Sequence, residues 1–228
     1  MSTLRGLVAV SISLAACGGT STTTTTSPGN TGGEVTGPPY AALFEPGKSV
    51  RYKRVSETTF YDPDDPKADP GGSVRDRSEQ AVTCAVNARD FGEVKVAQLS
   101  CEGLADGDEL AGELTAIYVA DLRGVWRTDA AALPTTVEDA RAAIGTQAKP
   151  LLAATPKAEE EKKEEEEGFG EMRKTSQAAD GAWCVDWGSW GGDEGGGGIC
   201  FAAGKGLTKV SSYWAGGSTK DDWFELVP

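Results

Sequence analysis

Two pairs of cysteines, each surrounded by the residue pattern of a β-hairpin, constrain this chain more than any other feature. If Gly92 and Glu93 form a two-residue type II′ turn, with glycine at the position that needs a positive φ, counting outwards places Cys84 opposite Cys101. These positions form a non-hydrogen-bonded pair, in which Cα atoms lie about 4.5 Å apart and a disulfide can close. The face that carries this pair is otherwise apolar, so we expect it to lie in the core.

The same counting applies to the second pair. If Cys184 lies opposite Cys200, Trp183 lies beside Phe201 on the other face of the hairpin, and such cross-strand pairs stabilise a sheet. The cysteines are then expected on the outer face. A four-cysteine zinc site and redox chemistry are the alternatives, but the sequence has no C-x-x-C spacing for either.

The absence of histidine and the excess of acid exclude several functions. The 228 residues include 35 Asp and Glu, 22 Lys and Arg and no His, which gives a net charge of −13. Nucleic acids and anionic lipid surfaces would be repelled. Hydrolases of the Ser-His-Asp and Cys-His types and His-ligated zinc enzymes are excluded. No phosphate-binding loop and no familiar serine nucleophile occurs. We therefore expect a protein without catalysis and without a cofactor.

The N-terminus has the features of a secretory signal. Residues 7–16 are small or apolar and follow Arg5, and they are too few to span a bilayer as a helix. The segment ends in Leu14-Ala15-Ala16-Cys17, which resembles the lipobox of bacterial lipoproteins. The alternative is a buried helix that happens to contain Cys17, but the glycines that follow would end it.

The resemblance implies where the protein is found. Residues 1–16 would be a signal peptide that is removed, and Cys17 would carry the acyl chains, palmitate among them, that anchor the protein in the membrane. The residue directly after Cys17 is Gly18 rather than an acidic residue. This resembles lipoproteins of the Gram-negative outer membrane.

The mature chain divides into a tether and one domain. Residues 17–39 hold the anchor and a segment rich in Ser, Thr and Gly, which is typical of a flexible tether. Residues 40–228 form the predicted domain. A segment at 157–167, with seven Glu and three Lys, interrupts it. We expect a charged loop there, with a solvated helix or a disordered insertion as the alternatives.

The domain pattern favours β-structure. A strand is predicted over 49–60, a hairpin about Arg123 and Gly124, and closing strands near Trp183, over 201–210 and over 223–227. One helix is predicted after Thr135 and Glu138, which have capping-box spacing, with its end at Gly145. The fold class is therefore mainly β: a curved antiparallel sheet, as a half-barrel or a sandwich, with one packed helix and two disulfides.

Two segments carry a further resemblance. Residues 44–52 and 204–210 resemble the opening strand and the closing hairpin of secreted bacterial β-domains, although Val50 stands at a position that is usually aromatic. Those domains form curved antiparallel sheets, some of them half-barrels with a helix across the concave face that shelter a lipid. The resemblance implies a fold and no particular function.

Tryptophans and acids near the C-terminus are the candidate contact residues. Five of the six tryptophans lie between 183 and 223, and the hairpin counting puts Trp183 and Trp187 on the core side. Trp190 lies among glycines and has few apolar residues near it in the sequence, so we expect it in a loop. There it would contact a ligand together with Asp193 and Glu194.

The acids at 62–69 do not predict a metal site. Calcium prefers oxygen ligands in a turn, but Pro66 stands where the next acid of an Asp-x-Asp-x-Asp loop belongs. No metal is therefore expected.

The leading hypothesis is a membrane-anchored bacterial lipoprotein with a non-catalytic binding or envelope-structural domain. Its partners would be the membrane, through acylated Cys17, and an envelope glycan or protein. Two alternatives are open. One is a carrier of lipid or another hydrophobe, with a cavity between sheet and helix, and the other is a His-free carboxylate glycosidase.

Overall fold

The computed structural model describes residues 37–105, 107–166, 169–191, 194–216 and 218–228. The predicted signal peptide, Cys17, Asp193 and most of the predicted tether lie outside these ranges. The described residues form one antiparallel sheet of twelve strands: β1 Ser49–Tyr61, β2 Ser73–Asp90, β3 Lys95–Cys101, β4 Ile117–Ala120, β5 Gly124–Thr128, β6 Leu152–Ala153, β7 Glu159–Glu166, β8 Phe169–Gln177, β9 Trp183–Trp190, β10 Glu194–Ala202, β11 Gly206–Ala215 and β12 Thr219–Leu226.

Except for β6 and β7, strands that follow one another in sequence are neighbours in the sheet. The order is β6-β5-β4-β3-β2-β1-β12-β11-β10-β9-β8-β7, so the first and last strands meet in the middle and the edges are β6 and β7. A 3-10 helix, Ala41–Phe44, precedes the sheet, and two α-helices lie within the order: α1 Glu109–Leu114 and α2 Val137–Ile144. The predicted fold class, a curved antiparallel sheet with a packed helix and two disulfides, is confirmed.

Ring contacts show how strongly the sheet curls. Tyr118 lies in β4 and Phe201 in β10, six strands away. A flat sheet would separate them by about 29 Å. Their ring centroids are 6.1 Å apart, with the rings edge to face. The two halves of the sheet therefore fold towards each other and enclose a concave face.

The core fills one end of this concave face. Tyr52, Phe201 and Phe224 are fully buried there, and the Tyr52 hydroxyl donates to the carbonyl of Leu207 at 2.9 Å. The 3-10 helix and α1 lie against the same face, and Leu114 of α1 is completely buried. The helix α1 was not predicted, because six residues are too few to show a helical period.

The predicted helix is α2, and it packs on the convex face. It covers Val96, Val119 and Trp126 with Ala140 and Ile144. It ends at Gly145 as predicted, but its N-cap is Thr136, which accepts from the backbone N–H of Asp139, rather than Thr135. The capping pair is therefore shifted by one residue.

Both cysteine hairpins have the predicted register. Phe91 donates to the carbonyl of Val94 at 2.9 Å across the turn, and Gly92 has φ +85°. Cys84 and Cys101 are register partners and form a disulfide in the core cluster. Cys184 and Cys200 form the second disulfide, as predicted, within a small separate cluster on the outer face.

Two predicted elements differ in the structure. The charged segment at 157–167, expected as a loop, supplies edge strand β7, which pairs with β8. Charged side chains suit an edge strand because they oppose pairing with another chain. The segment 201–210, expected as one strand, is divided between β10 and β11 by a turn at Gly204.

No helix among the described residues combines the length and the apolar character that a membrane span requires.

Candidate binding cavity

Glycines make up most of the first half of β10, where the sequence predicted a loop. Gly196, Gly197 and Gly198 are instead paired on both sides, with β9 and with β11, and Gly195 is paired with β11. Glycine alone weakens a strand. Here side chains of the neighbouring strands lie on the bare backbone, on alternating faces: Trp214 at Gly195, Tyr213 at Gly196, Trp187 at Gly197 and Asp186 at Gly198. This cover explains why the glycine run forms a strand.

Two of these rings lie on the concave face. Trp187 is the register partner of Gly197, and Trp214 is the register partner of Gly195. Gly195 and Gly197 share a face with Ile199 and Phe201 of the core, because side chains alternate along a strand. Trp187 packs against the core at its edge, whereas Trp214 is 42% exposed. The tryptophans thus continue the concave face beyond the core.

A cavity of about 610 Å³ opens at this end of the concave face. Ligand sites typically measure about 300–1,000 Å³ and combine an aromatic wall with a few polar groups. Trp187 supplies the aromatic wall here. The remaining lining comes from β7, β8, β9 and β10: Glu161, Lys162, Lys163, Glu171, Met172, Arg173, Gly188, Ser189 and Gly195.

Hydrogen bonds to the segment before β6 hold two polar side chains of the cavity, Arg173 and Glu161. The Arg173 guanidinium of β8 donates to the carbonyls of Pro150 at 2.9 Å and Leu151 at 2.7 Å, just before edge strand β6. Lys149 donates to Glu161 of edge strand β7. This hydrogen bond and the charge of Lys149 lower the pKa of Glu161 below its ordinary value. Glu161 is therefore an anionic hydrogen-bond acceptor at neutral pH.

A partly buried ionic network connects β1 and β12 with the start of α1. Asp222 of β12 is 5% exposed, and its Oδ2 lies 2.9 Å from Lys220 Nζ and 4.0 Å from Arg54 Nη2. Arg54 also pairs with Asp108, the N-cap of α1. Burial raises the pKa of Asp222, but hydrogen bonds from Ser56 and Lys220 outweigh it and hold the pKa below its ordinary value. The network thus ties α1 to the sheet.

Of the three predicted contact residues, Trp190 and Glu194 are described, and neither lines the cavity. Trp190 is the last residue of β9 rather than part of a loop, and its ring lies on Gly170 of β8. By alternation along β9 it occupies the face opposite to Trp187. Glu194 is exposed at the start of β10, and Asp193 lies outside the described residues. A contact role for these three residues stays a prediction.

Sequence reasoning assigned the cavity tryptophan to the core. Trp187 does contact the core, as Trp183 does, but each ring keeps an exposed part. The burial of Trp187 is only partial because the facing residue of β10 is glycine. A signal was present: a glycine run directly opposite tryptophans in a predicted hairpin leaves rings without side-chain neighbours.

The acidic loop before β2 uses its carboxylates for turns. Asp69 accepts from the backbone N–H groups of Gly71 at 2.8 Å and Ser73 at 2.9 Å, and Asp65 accepts from Lys67 at 2.7 Å. Within the described ranges, no group of three or more His, Cys, Asp or Glu side chains is arranged to hold a metal ion.

Comparison with protein-family models, with curated proteins and with solved structures gives no match.

The glycine run can be tested with a matched pair of substitutions. A Cβ on Gly197 would lie 2.7 Å from the carbonyl of Ser211 and 3.0 Å from Trp187, whereas at Gly195 its nearest contact is 3.7 Å. We expect Gly197→Ala to lower the free energy of unfolding by about 2 kcal/mol through overpacking. Gly195→Ala should stay within about 0.5 kcal/mol. Urea unfolding measures both, and equal losses would contradict the packing described for Trp187.

Asp222 should give the fold an acid-sensitive contribution. Since its pKa is lowered in the folded chain, the ionised form stabilises the fold above the unfolded pKa of about 3.9, and this contribution is lost as the pH falls through the folded value. We expect Asp222→Asn to cost about 2 kcal/mol at pH 7. The gap in unfolding free energy between Asp222→Asn and the unsubstituted protein should narrow below about pH 4. The exposed neighbour Asp221→Asn is the control. Urea unfolding at several pH values measures the gap, and a constant gap would contradict this assignment.

Proposed function

We propose that this protein is a lipid-anchored bacterial envelope lipoprotein whose domain binds a ligand in the concave cavity without transforming it. The cavity at Trp187 carries the proposal, because it combines an aromatic wall with polar groups held in fixed positions. Preorganised side chains favour binding because little conformational entropy is then lost.

The Glu161 carboxylate favours binding over glycoside hydrolysis. A glycosidase needs one carboxylic acid whose pKa is raised, so that it can protonate the leaving group. The pKa of Glu161 is shifted the other way by Lys149. Its carboxylate is therefore suited to accepting hydrogen bonds from a ligand rather than to donating a proton.

The packing of α1 also disfavours the carrier hypothesis. Leu110, Ala111 and Leu114 fill the space between α1 and the sheet, where a lipid would have to lie. The open cavity is instead lined by charged side chains. A polar ligand suits this lining better than an acyl chain does.

The location proposed for the protein depends on Cys17. The lipobox resemblance supports acylation of this residue and anchoring in the outer membrane of a Gram-negative bacterium. Several acyl chains give a stable anchor, whereas a single chain gives a marginal one. An anchored domain would meet its partner, an envelope glycan or protein, without diffusing away from the surface.

The anchor has a direct test. We expect the chain expressed in a Gram-negative bacterium to carry acyl groups on Cys17 and to fractionate with the outer membrane. Cys17→Ser should abolish acylation, because serine lacks the thiol that forms the thioether. Mass spectrometry of the N-terminal peptide measures both. An intact, unmodified N-terminus in the unsubstituted protein would overturn the anchor.

The cavity can be tested without knowing the ligand. We expect washed bacterial envelopes, added to the full chain in detergent, to slow amide hydrogen exchange in β7, β8 and β9, because a ligand in the cavity would suppress local opening there. Strands β3 and β4 on the other side of the core serve as the internal control. Unchanged exchange in β7–β9 would overturn binding at this site.

A further inference from the structure

Two tryptophans of the concave face, Trp187 and Trp214, form a pair of ring platforms. They lie on β9 and β11, with the glycines of β10 between them, and they are offset by two residues along the strands. Strand geometry gives a separation of roughly 12 Å between their Cα atoms. Two sugar rings of one glycan chain can reach platforms this close together.

The surface between the platforms includes bare backbone at one glycine. Gly195 presents only backbone there, and Ser189 bonds to the Gly195 backbone at 3.3 Å, whereas the ring of Trp187 lies on Gly197. Because β10 is already paired with β9 and β11, it offers a peptide no open edge for an added strand.

Hydrogen-bond donors and acceptors both line the cavity beside Trp187. Glu161 and Glu171 supply carboxylate acceptors, and the guanidinium of Arg173 supplies donors beyond those it uses on Pro150 and Leu151. Sugar hydroxyls both donate and accept, so they match such a mixed lining. Sugar rings also have apolar faces that pack on aromatic rings.

We propose that the concave face binds a glycan chain, with one sugar ring on Trp187 in the cavity and a second on Trp214 beyond it. This inference rests on the proposed binding function and specifies its ligand class. The carboxylates and the guanidinium hold the hydroxyls of the ring on Trp187. Gly195, which has no side chain, lets the chain lie close to the sheet between the two platforms.

Calorimetry on the full chain in detergent tests the proposal. The probes are the β-1,4-linked tetramer of N-acetylglucosamine, solubilised peptidoglycan glycan strands and core oligosaccharide from lipopolysaccharide. We expect at least one to bind, and Trp187→Ala and Trp214→Ala each to weaken that binding tenfold or more. Trp187→Phe should recover part of the loss, since it keeps an aromatic face and preserves the contact with the core.

Trp190→Ala is the matched control, because it removes the same ring from the opposite face. Its affinity should stay within twofold of the unsubstituted protein. Failure of all three probes to bind, or a loss with Trp190→Ala that equals the loss with Trp187→Ala, would overturn the glycan site.

The hydrogen-exchange test separates this failure from failure of the proposed function. If envelopes protect β7–β9 but no glycan binds, the cavity is a binding site and the ligand class is wrong. If protease treatment of the envelopes then removes the protection, the partner is a protein. If neither envelopes nor glycans have an effect, the binding function fails as well.

Discussion

The edge-to-face contact between Tyr118 and Phe201 closes the curl of the sheet, and the core and the cavity both depend on that curl. The two rings come from strands six places apart and meet at 6.1 Å between centroids. Tyr40, from the segment that leads into the 3-10 helix, contacts Phe201 in the same geometry. Aromatic contacts of this kind contribute about 1 kcal/mol each beyond the burial of their area. The curl is thus stabilised by rings from three distant parts of the chain, and it leaves the opposite end of the concave face open.

Glycine and tryptophan act together in the open half. A run of four glycines would ordinarily be a poor strand, because glycine loses the most backbone entropy and contributes no side chain. The rings of Trp187 and Tyr213 replace the missing packing by lying directly on the backbone. The same arrangement leaves the outer faces of the concave rings accessible. The packing of rings on the glycines therefore stabilises β10 and leaves aromatic surface accessible on the concave face.

Charge organises the margins of the sheet. All eight residues of edge strand β7 are Glu or Lys, which opposes association with strands of other molecules. Two contacts connect this edge of the sheet with the segment that precedes the other edge strand, β6. Lys149 donates to Glu161 of β7, and Arg173 of β8 donates to the carbonyls of Pro150 and Leu151. Deeper in the fold, Arg54 joins Asp108 and Asp222 and so connects α1 to the middle strands. Glu161 and Arg173 of the cavity wall are thus held by specific contacts.

Local chemistry by itself determined the hairpins of this protein. The turn at Gly92 sets the register of β2 with β3, and the pairing of Cys184 with Cys200 fits the register of β9 with β10. Both registers could be predicted because pairing within a hairpin depends on nearby residues. Tertiary structure decided which faces are buried and which aromatic rings remain accessible. Trp187 and Trp190 lie three residues apart in the same strand, so alternation puts them on opposite faces, and the curl of the sheet decides which of those faces borders the cavity. Such burial depends on strands many residues away, and so the β-structure of 159–166 and the position of the cavity emerged only from the assembled sheet.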